Sequence, residues 1–238
     1  TTVMVLFIIN ILKRTTLIFL TIIVVLIIDQ WLKVHIKLTY PIGEGFKMFG
    51  QDWARIHFVE NKGMAFGLEM GGAAGKYALS IFRILMVGLL GYIIKGLVQV
   101  KESKWLIVCF SLIIAGALGN IIDSMVYGLI FSASSFHGPV AQFMPEAGGY
   151  APFLQGKVVD MFHFPMVTTI WPEWVPKWGG TSFEFFRPVF NVADAAISVG
   201  VIAILLFHRR FFTKPEDVKT QSGTTSTATS NVGSSEEE

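Results

Sequence analysis

The sequence predicts an all-α membrane protein, a bundle of four transmembrane helices with a small extracytoplasmic β region. Of its 238 residues, 53% are hydrophobic and only 15% are charged, whereas soluble domains carry about 25% charged residues. The mean hydropathy of the chain is +0.58. Four segments are mostly apolar over the roughly 20 residues that a membrane-spanning helix needs.

The predicted spans cover residues 15–36, 77–98, 105–126 and 189–211. Together they form one predicted domain, residues 15–214. Residues 1–14 precede it as an apolar N-terminal extension that is too short to span. Residues 215–238 are rich in Ser and Thr, acidic at the end and without apolar periodicity, so we expect a disordered tail.

Basic residues near the span ends predict the orientation of the bundle. They form three clusters, before the first span, in the short loop between the second and third spans, and after the fourth span: Lys13 and Arg14; Lys95, Lys101 and Lys104; and the run "HRRFFTK". With four spans these clusters fall on the same side of the membrane. Both termini are therefore predicted to be cytoplasmic, with the segments 37–76 and 127–188 outside.

The two outside segments carry different signals. β-favouring residues at 56–59, followed by glycines, predict a short strand, a turn and a second strand over 64–68. The second segment contains Trp171, Trp174 and Trp178. Tryptophans at this density beside a span favour the membrane–water interface, so we expect an aromatic belt there.

Polar residues within the spans collect at the outer ends of the helices. A charge at membrane depth costs at least about 2.5 kcal/mol, and scattered structural polar groups would not sort by depth. One shared site is therefore the leading hypothesis. Its candidate members are Asp29, Lys33, Asn120, Asp123, Asp160, Asn191 and Asp194.

Most of these residues also have a purely structural interpretation. Asp29 and Lys33 are spaced i,i+4, as in an intrahelical ion pair. Asn120 and Asp123 share a helix face beside two glycines, as in close helix packing with interhelical hydrogen bonds. The sequence alone leaves both interpretations open.

Of the remaining candidates, the pair at the start of the fourth span favours a structural role and the aspartate before that span favours a functional one. Asn191 and Asp194 match the N-cap and N3 positions of a capping box, and alone they favour a cap over catalysis. Asp160 stands between apolar neighbours in "VVDMF", an unusual setting for a solvated loop carboxylate, and favours function. His163 follows three residues later, but a metal site needs more ligands than this spacing offers.

Several chemistries are excluded by the composition and motifs. A net charge of +2 gives no indication of a nucleic-acid partner. Cys109 is the single cysteine, so no intramolecular disulfide forms. The sequence has no G-x-S-x-G, phosphate-binding glycine loop or H-E-x-x-H. Aspartate chemistry remains: a pair of close carboxylates shares one proton, and the ionised member activates water while the neutral member donates to a carbonyl oxygen.

Five motifs carry a family resemblance. In order, "DQWLK", "ENKGMAFGL", "GNIID", "VVDMF" and "FNVADAAISVG" resemble bacterial lipoprotein signal peptidase, the signal peptidase II family. The resemblance implies an intramembrane aspartyl endopeptidase of the bacterial inner membrane. Such an enzyme removes signal peptides from diacylglyceryl-modified prolipoproteins, cutting on the amino side of the lipidated cysteine. Its partners are these signal peptides and membrane lipids, with no metal or cofactor, and we expect a monomer.

The resemblance also assigns residues. Carried over by motif, the catalytic pair falls on Asp160 and Asp194. The substrate-binding or supporting positions are Asp29, Lys33, Asn61, Gly63, Asn120, Asp123, Asn191 and Ala193. The strands over 56–59 and 64–68 would form a β-cradle for the peptide. Because Asp194 begins a helix and Asp160 has an apolar frame, we expect Asp194 to be the ionised member and Asp160 the protonated one.

The chain departs from the family pattern in two places. Ser124 stands where the arginine of "GNxxDR" normally follows the aspartate, and Lys157 or another basic residue of the outside segments is a candidate replacement. Residues 129–157 form an inserted outer loop, rich in Gly, Pro, Ser and Phe, that we expect to cover the site.

Two other classes of function compete with the peptidase. A small proton-coupled transporter would use the same carboxylates as a relay, but it would need them along the whole bilayer depth. The inner halves of these spans are nearly uncharged. A non-catalytic assembly protein would use the aspartates only to cap and pair helices.

Overall fold

The structure is a computed structural model that describes residues 2–62 and 72–208. Its main helices are α1 (Thr2–Thr39), α2 (Gly72–Gln99), α3 (Lys104–Ile122), the single turn α4 (Gly128–Ile130) and α5 (Val192–Phe207). Its strands are β1 (Gly45–Lys47), β2 (Arg55–Asn61), β3 (Val158–His163), β4 (Val167–Ile170), β5 (Ser182–Phe185) and β6 (Val189–Phe190).

Three helices in the described ranges are long and apolar enough to cross a membrane, over Phe7–Thr39, Gly72–Gln99 and Lys104–Ile130. They contain the first three predicted spans. The third extends four residues beyond the prediction because a π-helical segment, Asp123–Tyr127, joins α3 to α4. The fourth apolar helix, α5, has 16 described residues.

Both ends of the chain's helical region differ from the prediction. The helix α1 runs without a break through the predicted extension, because no proline or glycine interrupts residues 2–39. The start of the fourth span was wrong: Val189 and Phe190 form β6, and α5 begins only at Val192, where Asn191 caps it. The predicted strand over 64–68, Gly63, and the tail 215–238 lie outside the described residues.

The helix α3 is central, since it packs against α1, α2 and α5. Gly116 and Gly119 permit the close approach. A β-carbon on Gly116 would collide with the Ala193 carbonyl oxygen, and one on Gly119 would lie 2.7 Å from Asp29 Oδ2. The predicted small-residue packing is therefore present, and it brings α1, α3 and the start of α5 together at one level.

A four-stranded antiparallel sheet, in the order β1-β2-β3-β6, lies at that end of the helices. The strand predicted over 56–59 is part of β2, whereas β1, β3, β4, β5 and β6 were not predicted as strands. In the register of the sheet, Val59 pairs with Asp160 and Asn61 with Val158. The sheet buries Phe58, Val159 and Met161 against the end of α1 and against Tyr127. This core holds the strand that carries Asp160.

Candidate active site

Asp160 lies in the middle of β3, where it pairs with Val59 of β2. Its side chain is almost completely buried, with 3% of the residue exposed, and Val159 and Met161 on either side are fully buried. Strand alternation points the side chain of Asp160 to the opposite face from those two neighbours. These apolar neighbours therefore pack in the core on one face of the strand, and the carboxyl of Asp160 lies on the other.

Asp194 lies in the first turn of α5, inside a complete capping box. The Asp194 N–H donates to Asn191 Oδ1 at 2.9 Å, and the Asn191 N–H donates to Asp194 Oδ2 at 3.4 Å. The predicted cap is confirmed. It fixes the Asp194 carboxylate beside the positive end of the helix dipole, which stabilises a negative charge.

Asn191 joins the two aspartates. Its Nδ2 donates to Asp160 Oδ1 at 2.7 Å. The same nitrogen also lies 3.2 Å from Asn120 Oδ1 and 3.3 Å from the Val159 carbonyl oxygen. The same side chain accepts from the Asp194 N–H. One fully buried amide therefore fixes a strand carboxyl relative to a helix carboxyl.

Asn120 of α3 holds Asp194 from the opposite side. Its Nδ2 donates to Asp194 Oδ1 at 2.8 Å, and its Oδ1 accepts from Lys33 Nζ at 3.0 Å. The amide thus connects Asp194 to a cation without placing that cation in direct contact with the carboxylate. Asn120 acts in an interhelical network, and close packing alone does not account for it.

Lys33 is the centre of a fully buried ionic cluster. Its Nζ lies 2.8 Å from Asp29 Oδ2 and 2.8 Å from Asp123 Oδ2. The predicted intrahelical pair is present, but it extends across the bundle to α3. Asp29 Oδ1 also accepts the Ala193 N–H at 2.8 Å, so the cluster holds the first turn of α5 as well.

The electrostatic environment makes the two aspartates unequal. Burial raises the pKa of Asp160 to about 7, and the negative charge of Asp194 adds to the rise. Hydrogen bonds from Asn191 and Asn61 and the charge of Lys33 oppose it. A carboxyl with a pKa near 7 is poised to hold or release a proton at neutral pH.

The described site residues therefore form one connected group. The network joins Asp29, Lys33, Asn120, Asp123, Asp160, Asn191, Ala193 and Asp194, with Asn61 at its edge. Five elements bring the shared site predicted from the sequence together: α1, β2, α3 with its π-helical extension, β3 and α5. Gly63 lies outside the described residues.

The chain was compared with known proteins. The family model for signal peptidase (SPase) II matches residues 21–210. The chain is 47% identical over 190 residues to a lipoprotein signal peptidase of Porphyromonas gingivalis, covering 79% of this chain and 81% of that protein. It is 34% identical over 192 residues to one from Amoebophilus asiaticus, covering 79% and 76%. The chain belongs to the signal peptidase II family.

Two solved bacterial membrane enzymes have a similar fold. One, determined at 1.9 Å, has a TM-score of 0.50 and 25% identity, covering 79% of this chain and 90% of that chain. Another has a TM-score of 0.52 and 22% identity, covering 93% and 94%. Family membership gives no support to the transporter hypothesis.

Sequence reasoning missed Gln30 and Tyr127, two polar members of this network in a chain of the signal peptidase II family. Gln30 Nε2 donates to Asp123 Oδ1 at 2.9 Å and lies 3.1 Å from Asp29 Oδ2. The Tyr127 hydroxyl donates to Gln30 Oε1 at 3.1 Å. A glutamine inside an apolar span, directly after Asp29, was the available signal.

Two cations of α2 also face the site. Lys76 is buried, donates to the Lys62 carbonyl oxygen at 2.8 Å, and lies 3.5 Å from Ser124 Oγ. Arg83 has favourable coulombic interactions with the carboxylates of Asp194, Asp123 and Asp160. These residues reach the site from a helix that supplies none of its predicted members.

The inserted segment 129–157 is connected to β2 through the buried carboxylate of Glu60. Glu60 forms an ion pair with Lys37 and accepts from Lys157 Nζ at 3.1 Å and Ser134 Oγ at 2.8 Å. Phe131 of the insertion is fully buried in the core beneath the sheet. The insertion is therefore anchored beside the strand that ends at Asn61, and its role as a cover stays a prediction.

We expect Lys33→Met to destabilise the protein strongly, because it leaves Asp29 and Asp123 buried without a counter-ion. Removing one partner of a buried ion pair costs about 3–5 kcal/mol. Thermal unfolding in detergent, followed by tryptophan fluorescence, measures the change.

Lys47→Met is the matched control, since Lys47 forms an ion pair with Asp52 at 2.5 Å but both side chains are mostly exposed. Its melting temperature should equal that of the wild type. Equal melting temperatures for the two variants would show that the buried cluster contributes nothing beyond a surface pair.

Proposed function

We propose that this chain is an intramembrane aspartyl endopeptidase that removes signal peptides from diacylglyceryl-modified prolipoproteins. One observation carries the proposal: Asn191 hydrogen-bonds Asp160 and caps the helix whose first turn contains Asp194, so two carboxyls in unequal environments are held together. Family membership supports the substrate class, because the curated relatives are lipoprotein signal peptidases.

In the proposed mechanism Asp194 is the general base. Its carboxylate accepts hydrogen bonds from Asn120 Nδ2 and from the Asn191 N–H, and it lies at a helix N-terminus. These donors and the positive end of the helix dipole are placed to stabilise negative charge on the carboxylate. Asp194 takes a proton from the water that attacks the scissile carbonyl carbon.

Asp160 is the general acid of the same step. Burial and the charge of Asp194 raise its pKa to about 7, so at neutral pH a large fraction of the groups carries the proton. Asp160 donates this proton toward the carbonyl oxygen as the tetrahedral intermediate forms. The intermediate then collapses: the leaving amide nitrogen takes up the proton that Asp194 received from water, the C–N bond breaks, and Asp160 recovers a proton from a hydroxyl of the intermediate as the carboxylic acid product forms. Because the carboxyls interact, the measured pKa values belong to the pair.

The location of the site fits a lipid-anchored substrate. The carboxyls lie where the apolar helices meet the sheet, and α5 would act as the fourth span of the bundle. We propose that this end faces the outer leaflet of the bacterial inner membrane, with both termini cytoplasmic. The sheet would then act as the β-cradle for the peptide, in a monomer that contacts membrane lipids and needs no cofactor.

Lys76 is proposed to supply the positive charge that an arginine at position 124 would give. Its Nζ lies 3.5 Å from Ser124 Oγ and has a coulombic interaction with Asp123. Lys157, the replacement considered from the sequence, instead contacts Glu60 and the ring of Tyr150. Lys76 is thus the better placed of the two.

The dyad is tested by Asp160→Asn and Asp194→Asn. Each variant should lose cleavage by about a thousandfold, because each removes one proton-transfer group. The measurement is the gel shift of a diacylglyceryl-modified precursor incubated with purified protein.

Asp52→Asn changes an exposed carboxylate of a surface ion pair and serves as the control. It should cleave like the wild type. Near-native turnover by either dyad variant would contradict the assignment, and loss of folding is checked separately by the melting temperature.

The pH dependence of cleavage tests the role of Asp160. An acid with a pKa of about 7 is active below that pH, so the rate should fall as pH rises through about 7. The hydrogen bond from Asn61 lowers the pKa of Asp160. Asn61→Ala should therefore move the alkaline limb of the pH–rate profile for cleavage to higher pH. A limb that stays in place, or moves to lower pH, argues against Asp160 as the acid.

Lys76→Met tests the charge replacement. Loss of a hydrogen bond to a charged group costs about 1.5–3 kcal/mol, so kcat/KM should fall about tenfold or more, mainly through KM. Lys76→Arg should restore most of it. Lys95→Met, at an exposed position of the same helix, is the control, and an equal effect of the two methionine variants would refute the role.

A further inference from the structure

A separate two-stranded sheet lies between β3 and α5 in the chain. We define the aromatic hairpin as residues 166–186, with β4 and β5 paired antiparallel. It follows His163 closely and leads directly into β6. The hairpin pairs only within itself, in a sheet distinct from the four-stranded one. A single two-stranded hairpin is at best marginally stable in water.

The pairing register gives the hairpin two chemically different faces. Opposed residues of an antiparallel pair point to the same side. One face carries Val167, Thr169, Phe183 and Phe185, and Trp171 continues it, with its ring 5.1 Å from that of Phe183. We call this the apolar face. The other face carries Thr168, Ile170, Ser182 and Glu184.

The second face is directed toward the catalytic strand. Glu184 Oε1 lies 2.9 Å from His163 Nε2, at the end of β3. Because Glu184 points toward β3, the apolar face points away from it. The hairpin is thus oriented by a polar contact on one side and leaves its apolar side open.

The apolar face is solvent-accessible. Val167 is 52% exposed, Phe185 is 54% exposed, and Trp174 at the hairpin tip is 80% exposed. Contiguous exposed apolar surface of this kind marks an interaction site. Only three charged residues lie within residues 166–186, namely Glu173, Lys177 and Glu184.

The hairpin is continuous with the lipid-facing part of the protein. Phe186 at its end makes an edge contact with Phe190, whose ring lies 6.2 Å away, one residue before the cap of α5. Farther along, α5 exposes large apolar side chains, among them Val199, Ile202 and Leu206. In a membrane enzyme that surface of α5 is covered by lipid. The hairpin ends a few residues before the N-terminus of the same helix.

We propose that the apolar face of the aromatic hairpin docks into the headgroup region of the lipid bilayer, beside the strand that carries Asp160. Tryptophan rings prefer this level of a membrane. Docking there would hold β3 at a fixed depth through the His163–Glu184 contact. The inference concerns membrane contact and is independent of the aspartyl mechanism.

The test compares two adjacent threonines that are both exposed and lie on opposite faces. Thr168→Cys and Thr169→Cys are made separately in a Cys109→Ala background, which removes the single native cysteine. Each is labelled with bimane and reconstituted, one copy per disc, in nanodiscs of phosphatidylcholine and phosphatidylglycerol. Matched discs contain chains brominated close to the ester carbonyl.

Brominated lipid should quench the probe at Thr169 at least about twofold, since a headgroup-level residue contacts the brominated carbons. The probe at Thr168 should keep its fluorescence. The same comparison on the second strand, with Phe185→Cys on the apolar face and Ser182→Cys on the other, guards against an effect of one label.

Two results would overturn the proposal. Equal quenching on both faces would mean that the hairpin has no oriented contact with the bilayer. An unquenched probe on the apolar face in single-copy discs would mean that water or another part of the protein covers that face. If quenching is absent in single-copy discs and the probe becomes protected only when two copies share a disc, a second copy is the occupant.

Discussion

The buried ammonium group of Lys33 is the interaction on which the rest of the site depends. Two carboxylates, Asp29 and Asp123, are removed from water on adjacent helices, and each would be strongly destabilising without a counter-charge. Lys33 Nζ lies 2.8 Å from both. The held carboxylate of Asp29 then receives the Ala193 N–H, which sets the position of α5. One cation in α1 therefore aligns three helices before any catalytic group is considered.

The alignment allows the two proposed catalytic carboxyls to come from unlike elements. Asp160 is on a strand within the sheet core, whereas Asp194 lies in the first turn of a helix and has backbone and amide donors. A symmetric pair would need substrate or solvent to decide which member keeps the proton. Here burial at the strand position raises the pKa of Asp160, whereas Asp194 has donors and the positive end of the helix dipole beside it. The fold thus places the two carboxyls in unequal environments, which the proposed acid–base mechanism uses.

Much of this arrangement was predictable, because polar residues stand out in apolar spans. The shared site, the capping box of Asn191 and Asp194, and β2 follow from local pattern. Gln30, Lys76 and Glu60 were not identified as parts of the network, because each acts through partners distant in sequence, such as Asp123, Ser124 and Lys157. β3 was missed for a related reason. The apolar residues of "VVDMF" were interpreted only as apolar neighbours of Asp160, because the strand that pairs with them, β2, is distant in sequence.

The proposed role of Lys76 would place a positive charge beside Ser124 from a different helix. Lys76 and Ser124 lie on different helices, yet the Lys76 ammonium reaches the Ser124 hydroxyl and the carbonyl of Lys62. A lysine is a compact charge with freely rotating donors, whereas arginine presents a planar fork. In the proposed role, the lysine would supply positive charge near Asp123 without the bidentate geometry of an arginine. Its hydrogen bond to the Lys62 carbonyl oxygen also connects this charge to the residue that follows β2.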